Sequence, residues 1–306
     1  MPINFFGMNG RLFNWVLFGI LSLTWGSSFI LMKAGMEGLS AYQVASIRIV
    51  SAGLVLLPIA IKSFGKIPLR LMKYVFLSGM LGSLLPAYLF CIAEQKVDSG
   101  LAGVLNSLTP IFVIIAGALF FNSRVSANKI AGICIAFSGS VLLYFFQPVQ
   151  NGESNLMHVL LILLATASYG FNVNLVHQYL RQIPSLQIAA VAMMLNAIPA
   201  LLVLLLSGYF GSSLLHKEVW IATGYSALLG VLGTAIATIL FYMLLKRAGA
   251  VFASMVTYGI PIVALGWAMV YGEEVGWSQG LGMLVILIGV FVANSNLFRK
   301  QQPVLE

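Results

Sequence analysis

Long apolar runs separated by short polar breaks occupy almost the whole chain. The runs cover roughly 13–33, 41–61, 71–92, 98–121, 128–146, 156–178, 187–208, 219–244, 250–271 and 278–298. Each is close to the ~20 apolar residues that cross a hydrocarbon core. They are continuous rather than alternating, so the pattern predicts helices and not the strands of a barrel. The expected fold is an all-α integral membrane protein of ten transmembrane helices. The first run follows Arg11 and continues to about Met32 without a small-residue cleavage site. It therefore reads as a retained span rather than a signal peptide.

Composition narrows the classes further. The 306 residues are 60% hydrophobic and 8% charged, with mean hydropathy +0.99. A soluble domain carries about 25% charged residues to cover its surface, so the surface here must face lipid. The net charge of +8 is spread over short loops. That pattern is one of membrane topology, and no nucleic-acid partner is expected. Cys91 and Cys134 both lie in apolar runs, too few for a disulfide framework or a thiolate metal site. Neither a metal nor a cofactor is expected.

Charge also orients the spans. An even number of spans puts both termini on one side. If that side is the cytoplasm, the inner segments hold Arg11, Lys62, Lys66, Arg70, Lys73, Arg124, Lys129, Arg181, Lys246, Arg247, Arg299 and Lys300. The outer segments then hold only Lys33, Lys96 and Lys217, a strong positive-inside bias. The carboxylates sort oppositely: Glu37, Glu94, Asp98, Glu153, Glu218, Glu273 and Glu274 fall outside, and only Glu306 inside. A wrong span count would scramble this sorting.

The chain also repeats itself. Shifted by 144 residues, Trp25-Gly26 meets Tyr169-Gly170 and Gln43 meets Gln187; shifted by 151, Leu108-Thr109-Pro110 meets Gly259-Ile260-Pro261. Shifted by 150, Gly132 and Gly139 meet Gly282 and Gly289. Residues 1–147 and 156–306 thus read as two five-helix repeats. Five is odd, so the second repeat must enter the membrane inverted. The loops are recharged to match. Arg124 is opposite Glu274, and the acidic 94–98 loop is opposite the 245–249 loop with Lys246 and Arg247. Inverted repeats are the architecture of secondary transporters, with a substrate site near mid-membrane at the seam.

Trp25-Gly26-Ser27-Ser28-Phe29 with Lys33, and Arg48 opening an Ile-Val-Ser-Ala-Gly-Leu run, resemble the first-half signature of the EamA-type drug/metabolite transporters. Pro110, Pro261, Gly272-Glu273-Glu274 and the Gly-rich tenth span resemble its second signature. The resemblance covers roughly 13–298. It implies a ten-helix, exporter-type carrier for small metabolites, often amino acids, in a bacterial cytoplasmic (inner) membrane. Two departures stand out: Asn122-Ser123-Arg124 replaces a Gly-Glu-Arg-like turn, and Ala192 stands opposite Arg48.

Candidate substrate contacts follow from helical spacing. Trp25 and Ser28 share a face, as do their counterparts Tyr169 and Asn172. Thr234, Thr238 and Tyr242 form a stripe, opposite Ser83, Ala87 and Cys91. Asn106 and Thr257 lie one turn before Pro110 and Pro261, the candidate hinges, since a proline frees a carbonyl one turn earlier. Tyr88 and Tyr258 complete the set. The competing reading is structural for each: Ser and Thr bond their own helix, aromatics pack or anchor at the interface, and glycines admit close helices. Arg48 is the sole charged residue well inside a predicted span; it can hold a substrate carboxylate or cap a neighbour's carbonyls. The structural role is favoured because the resemblance places the second span outside the inner ring.

No Asp or Glu falls at a predicted core position, although proton relays normally need one. The expected mechanism is therefore facilitative alternating access, exporting a small amphipathic metabolite, with an amino acid the first candidate. Proton-coupled export and flipping of a lipid-linked sugar are the alternatives within this fold. A channel lacks its filter or charge ring, and no catalytic pair suggests an enzyme. Monomer and homodimer remain equally open.

Overall fold

The computed structural model describes residues 10–123, 127–145, 156–211, 216–272 and 276–294. Arg124, Glu153, Glu273, Glu274, Arg299, Lys300 and Glu306 lie outside the described residues. Among those described, all regular structure is helical. Seven segments are long and apolar enough to cross a membrane: Gly10–Met36, Ala41–Phe64, Leu69–Ala93, Ser99–Phe120, Leu156–Tyr179, Ser185–Leu206 and Lys217–Ala250. Three shorter apolar helices, Ile130–Gly139, Phe252–Trp267 and Gly280–Gly289, fall in the remaining predicted runs.

The helices are α1 (Gly10–Met36), α2 (Ala41–Phe64), α3 (Leu69–Gly79), α4 (Leu85–Ala93), α5 (Ser99–Asn106), α6 (Thr109–Phe120) and α7 (Ala127–Phe145). They continue as α8 (Leu156–Tyr179), α9 (Ser185–Leu206), α10 (Lys217–Leu228), α11 (Ala237–Ser254), α12 (Ile260–Val270) and α13 (Trp277–Asn294). Local sequence explains several boundaries. Ser40 caps α2 reciprocally with Gln43, the box that satisfies two orphan N–H groups. Gly249 takes φ 85° inside α11 and kinks it. Gly272 takes φ 77° after α12, and Asn122 takes φ 52° at the corresponding turn after α6. Asn tolerates the left-handed region better than other non-glycine residues. The missing glycine at 122 therefore leaves that turn intact.

Four predicted runs are not continuous α-helix. Between α3 and α4 the backbone widens into a π-helical segment, Met80–Leu84; between α10 and α11 another covers Leu229–Ile236. The run 98–121 breaks between Asn106 and Thr109, and the run 250–271 passes through a 3-10 segment, Met255–Tyr258. Such irregular turns frequently accompany functional sites.

Packing pairs the elements in matching ways. α1 lies on α12 and α8 on α6; α2 lies on the second π segment and α9 on α3. Glycines make these approaches possible. A Cβ on Gly79 would meet Asn196 Nδ2 and the Ala192 carbonyl, and one on Gly230 would meet Ser51 Oγ and the Arg48 carbonyl. Gly26 faces Val263, and Gly170 faces Phe112. At one end, Lys246 Nζ donates to the Ile183 carbonyl and Arg247 Nε to Asn14 Oδ1. At the other, Gln43 Nε2 donates to the Ser207 carbonyl at 3.1 Å. These contacts join loops that charge sorting places on the same side. Glu94 lies in the loop just after α4, where the sequence reading expects it, but it is buried there, and Ser99 Oγ, at the start of α5, donates to its Oε2 at 3.4 Å.

Candidate functional site

A cavity lies among α1, α2, α4, α8, α11 and the four irregular segments. Trp25, Ser28, Arg48, Asn106, Tyr169, Asn172, Thr238, Tyr242 and Thr257 all line it. Tyr88 and Tyr258, also expected as substrate contacts, do not. The Tyr88 hydroxyl instead lies 2.7 Å from Ser46 Oγ, turned toward α2, and Tyr258 sits half-buried on the 3-10 turn. Pro110 and Pro261 stand in the first turns of α6 and α12. The missing N–H is tolerated there, so the breaks just before them carry the irregularity.

Each polar lining group has a local reason for its position. Thr109 Oγ1 donates to the Asn106 carbonyl at 2.7 Å, and Thr257 Oγ1 to the Ser254 carbonyl at 2.8 Å. These hydroxyls satisfy carbonyls that the helix breaks release. Trp25 Nε1 donates to the Gly233 carbonyl at 2.9 Å, reaching from α1 into the second π segment. Asn172 Nδ2 lies 3.4 Å from the Tyr242 hydroxyl, while Asn172 Oδ1 is buried with no partner. Asn172 packs on Gly82 and Ser28 on Gly233.

Arg48, for which the sequence reading favours a structural role outside the inner ring, is among the residues that line the cavity. It is 6% exposed and reaches the cavity from α2 because Gly230 lets the π segment settle on the Arg48 carbonyl. Its Nε donates to Thr234 Oγ1 at 2.7 Å and its Nη1 points at Met32 Sδ at 3.6 Å. Both partners are neutral.

The sequence reading missed Phe29, Met32, Phe90, Thr109, Phe241 and Ser254, all lining residues. Phe29 and Met32 share the helical face of Trp25. Phe241 packs on Trp25 with ring centroids 5.2 Å apart, and Phe90 on Tyr169 at 6.1 Å. Phe90 and Phe241 are related by the 151-residue shift, a signal that was available but that apolar residues in apolar runs conceal.

The EamA-like transporter family model matches this chain twice, over residues 13–145 and 156–295. The chain belongs to that family. A transporter of Archaeoglobus fulgidus is 26% identical over 91% of this chain and 97% of its own length. The inner membrane transporter YedA of Escherichia coli K12 is 26% identical, covering 90% and 89%. A probable amino-acid metabolite efflux pump of Salmonella typhimurium is 26% identical, covering 89% and 92%. One crystal structure shares the fold with TM-score 0.64 at 16% identity, covering 91% of this chain and 95% of the other. This EamA-like chain is a multi-pass inner-membrane transport protein.

Proposed function

We propose that this transporter exports a small amphipathic metabolite by alternating access, using two inverted five-span repeats that meet at the cavity. The observation that carries the reading is the cavity's paired lining. Trp25–Phe241 and Tyr169–Phe90, Ser28–Gly233 and Asn172–Gly82, and the two π segments come from register-related positions. A substrate there touches both repeats, so rocking one against the other changes its access. The three shorter apolar helices complete ten spans, with both termini cytoplasmic.

Apart from Arg48, the polar groups of the described lining are neutral and stand beside aromatic walls, which suits an apolar body with a compact polar head. Amino acids and their derivatives are the first class to test, and the Salmonella relative's name points the same way. With no carboxylate or histidine among the described lining residues, movement is expected to follow gradients without a dedicated proton site. The test is overexpression in cells challenged with toxic amino acids, analogues and drugs, scoring resistance and efflux, followed by counterflow in proteoliposomes. Saturable counterflow is expected. Linear, non-saturating flux indicates a channel instead, and uptake driven by a pH jump alone indicates proton coupling.

A further inference from the structure

The charge inside the cavity is unbalanced. Arg48 is buried and always cationic, yet its side chain hydrogen-bonds to a threonine hydroxyl and a thioether. A guanidinium carries five N–H donors and a thioether is a weak acceptor, so these two contacts use the group poorly. A buried cation facing only neutral partners is costly unless an anion joins it. The described lining contains no carboxylate. One turn along α8 from Tyr169, the buried Asn172 Oδ1 has no donor. The cavity therefore has two unmet demands: an anion for Arg48 and a neutral hydrogen-bond donor for Asn172. Aromatic rings of Trp25, Phe29, Phe90 and Phe241 supply the walls.

We infer that the substrate is a monoanionic carboxylate with an apolar body and an uncharged donor beside the carboxylate, such as a 2-hydroxy acid or an N-acylated amino acid. This rests on the carrier reading above and sharpens its substrate class. A zwitterionic amino acid also neutralises Arg48, but it leaves an ammonium facing only an amide oxygen, so the occupied cavity keeps a net positive charge. A monoanion leaves none. The inference also supplies a driving force. A monoanion crossing alone carries charge, and an inside-negative membrane pushes it outward by about 50-fold per 100 mV at equilibrium. Export then needs no proton site.

The test uses the full-length protein in proteoliposomes with the potential set by potassium and valinomycin. The probes are N-acetyl-L-phenylalanine, L-3-phenyllactate, L-phenylalanine, phenethylamine and the neutral N-acetyl-L-phenylalaninamide. The two monoanions should exchange, with efflux rising as the interior is made negative, and phenylalanine should be about 10-fold poorer. Arg48→Gln should abolish the preference for N-acetylphenylalanine over its neutral amide, and Arg48→Lys should keep it. Asn172→Asp, nearly the same shape, should shift preference from monoanions toward phenylalanine; this variant decides the matter if Arg48→Gln fails to fold. Equal or better exchange of phenylalanine or phenethylamine, potential-independent flux, or unchanged preference in the variants overturns the inference and leaves the carrier standing. Silence of every probe also overturns it, whereas the carrier reading falls only if the broad efflux and counterflow screen is silent as well.

Discussion

The indole N–H of Trp25 donates to the Gly233 carbonyl across a 2.9 Å contact, tying α1 to a π-helical turn. A widened turn leaves its carbonyls less well used by the helix itself, so a side chain from a neighbour can claim one. Trp25→Phe keeps a ring against Phe241 but removes the donor. The expected stability loss is modest, about 0.6 kcal/mol and at most about 1.7 kcal/mol. Transport should slow further than that loss explains. A thermal unfolding assay in detergent beside initial counterflow rates separates the two effects; equal losses would make the bond structural only.

Gly79 and Gly230 occupy corresponding helix crossings, each against the backbone of a neighbour. Alanine at 230 meets the Arg48 carbonyl and Ser51, and alanine at 79 meets Asn196 and, at 2.9 Å, the Ala192 carbonyl. Both substitutions should destabilise by about 1–3 kcal/mol. Gly230→Ala should be the more damaging, because its carbonyl clash is the closer of the two and a backbone carbonyl cannot swing aside. Gly224, with nothing within 4 Å, serves as control and should gain up to about 1 kcal/mol on becoming alanine. Melting temperatures of the three purified variants check the order.

Pro110→Ala and Pro261→Ala should alter transport rate more than membrane insertion. Each proline follows a helix break whose carbonyl is held by Thr109 or Thr257, and alanine restores an N–H that can extend the helix backward across the break. Insertion is read from the folded fraction on gel filtration and rate from counterflow. Unchanged rates in both variants would remove the hinge role.

Tyr88→Phe should leave substrate exchange near wild type, since the side chain faces Ser46 rather than the cavity. The lost hydroxyl contact is worth about 0.6 kcal/mol. A changed substrate affinity would instead bring Tyr88 into the site.

Seven of the expected spans were legible because lipid imposes long apolar runs, and the aromatic and polar residues that line the cavity from α1 and α8 were legible because the two stretches match in sequence. Asn106 and Thr257 were legible through the prolines beside them. The π segments were not: Pro86 removes the N–H that would bond the Gly82 carbonyl in Met80–Leu84, but no proline lies in Leu229–Ile236 or in the turn after it. That Arg48 lines the cavity was not legible, because depth along a helix can be counted but the direction a helix faces in a bundle cannot. Glu94 lies in its expected loop, and its burial was hidden because it depends on the tertiary surroundings.

The four irregular segments all line one cavity through Ser83, Thr234, Asn106 and Thr257. Every long rod they interrupt is therefore broken beside that cavity. If the halves rock as proposed, the bending falls on these breaks and no straight helix has to bend. A ligand in the cavity then touches all four breaks at once, so its grip is expected to set how readily that rocking proceeds.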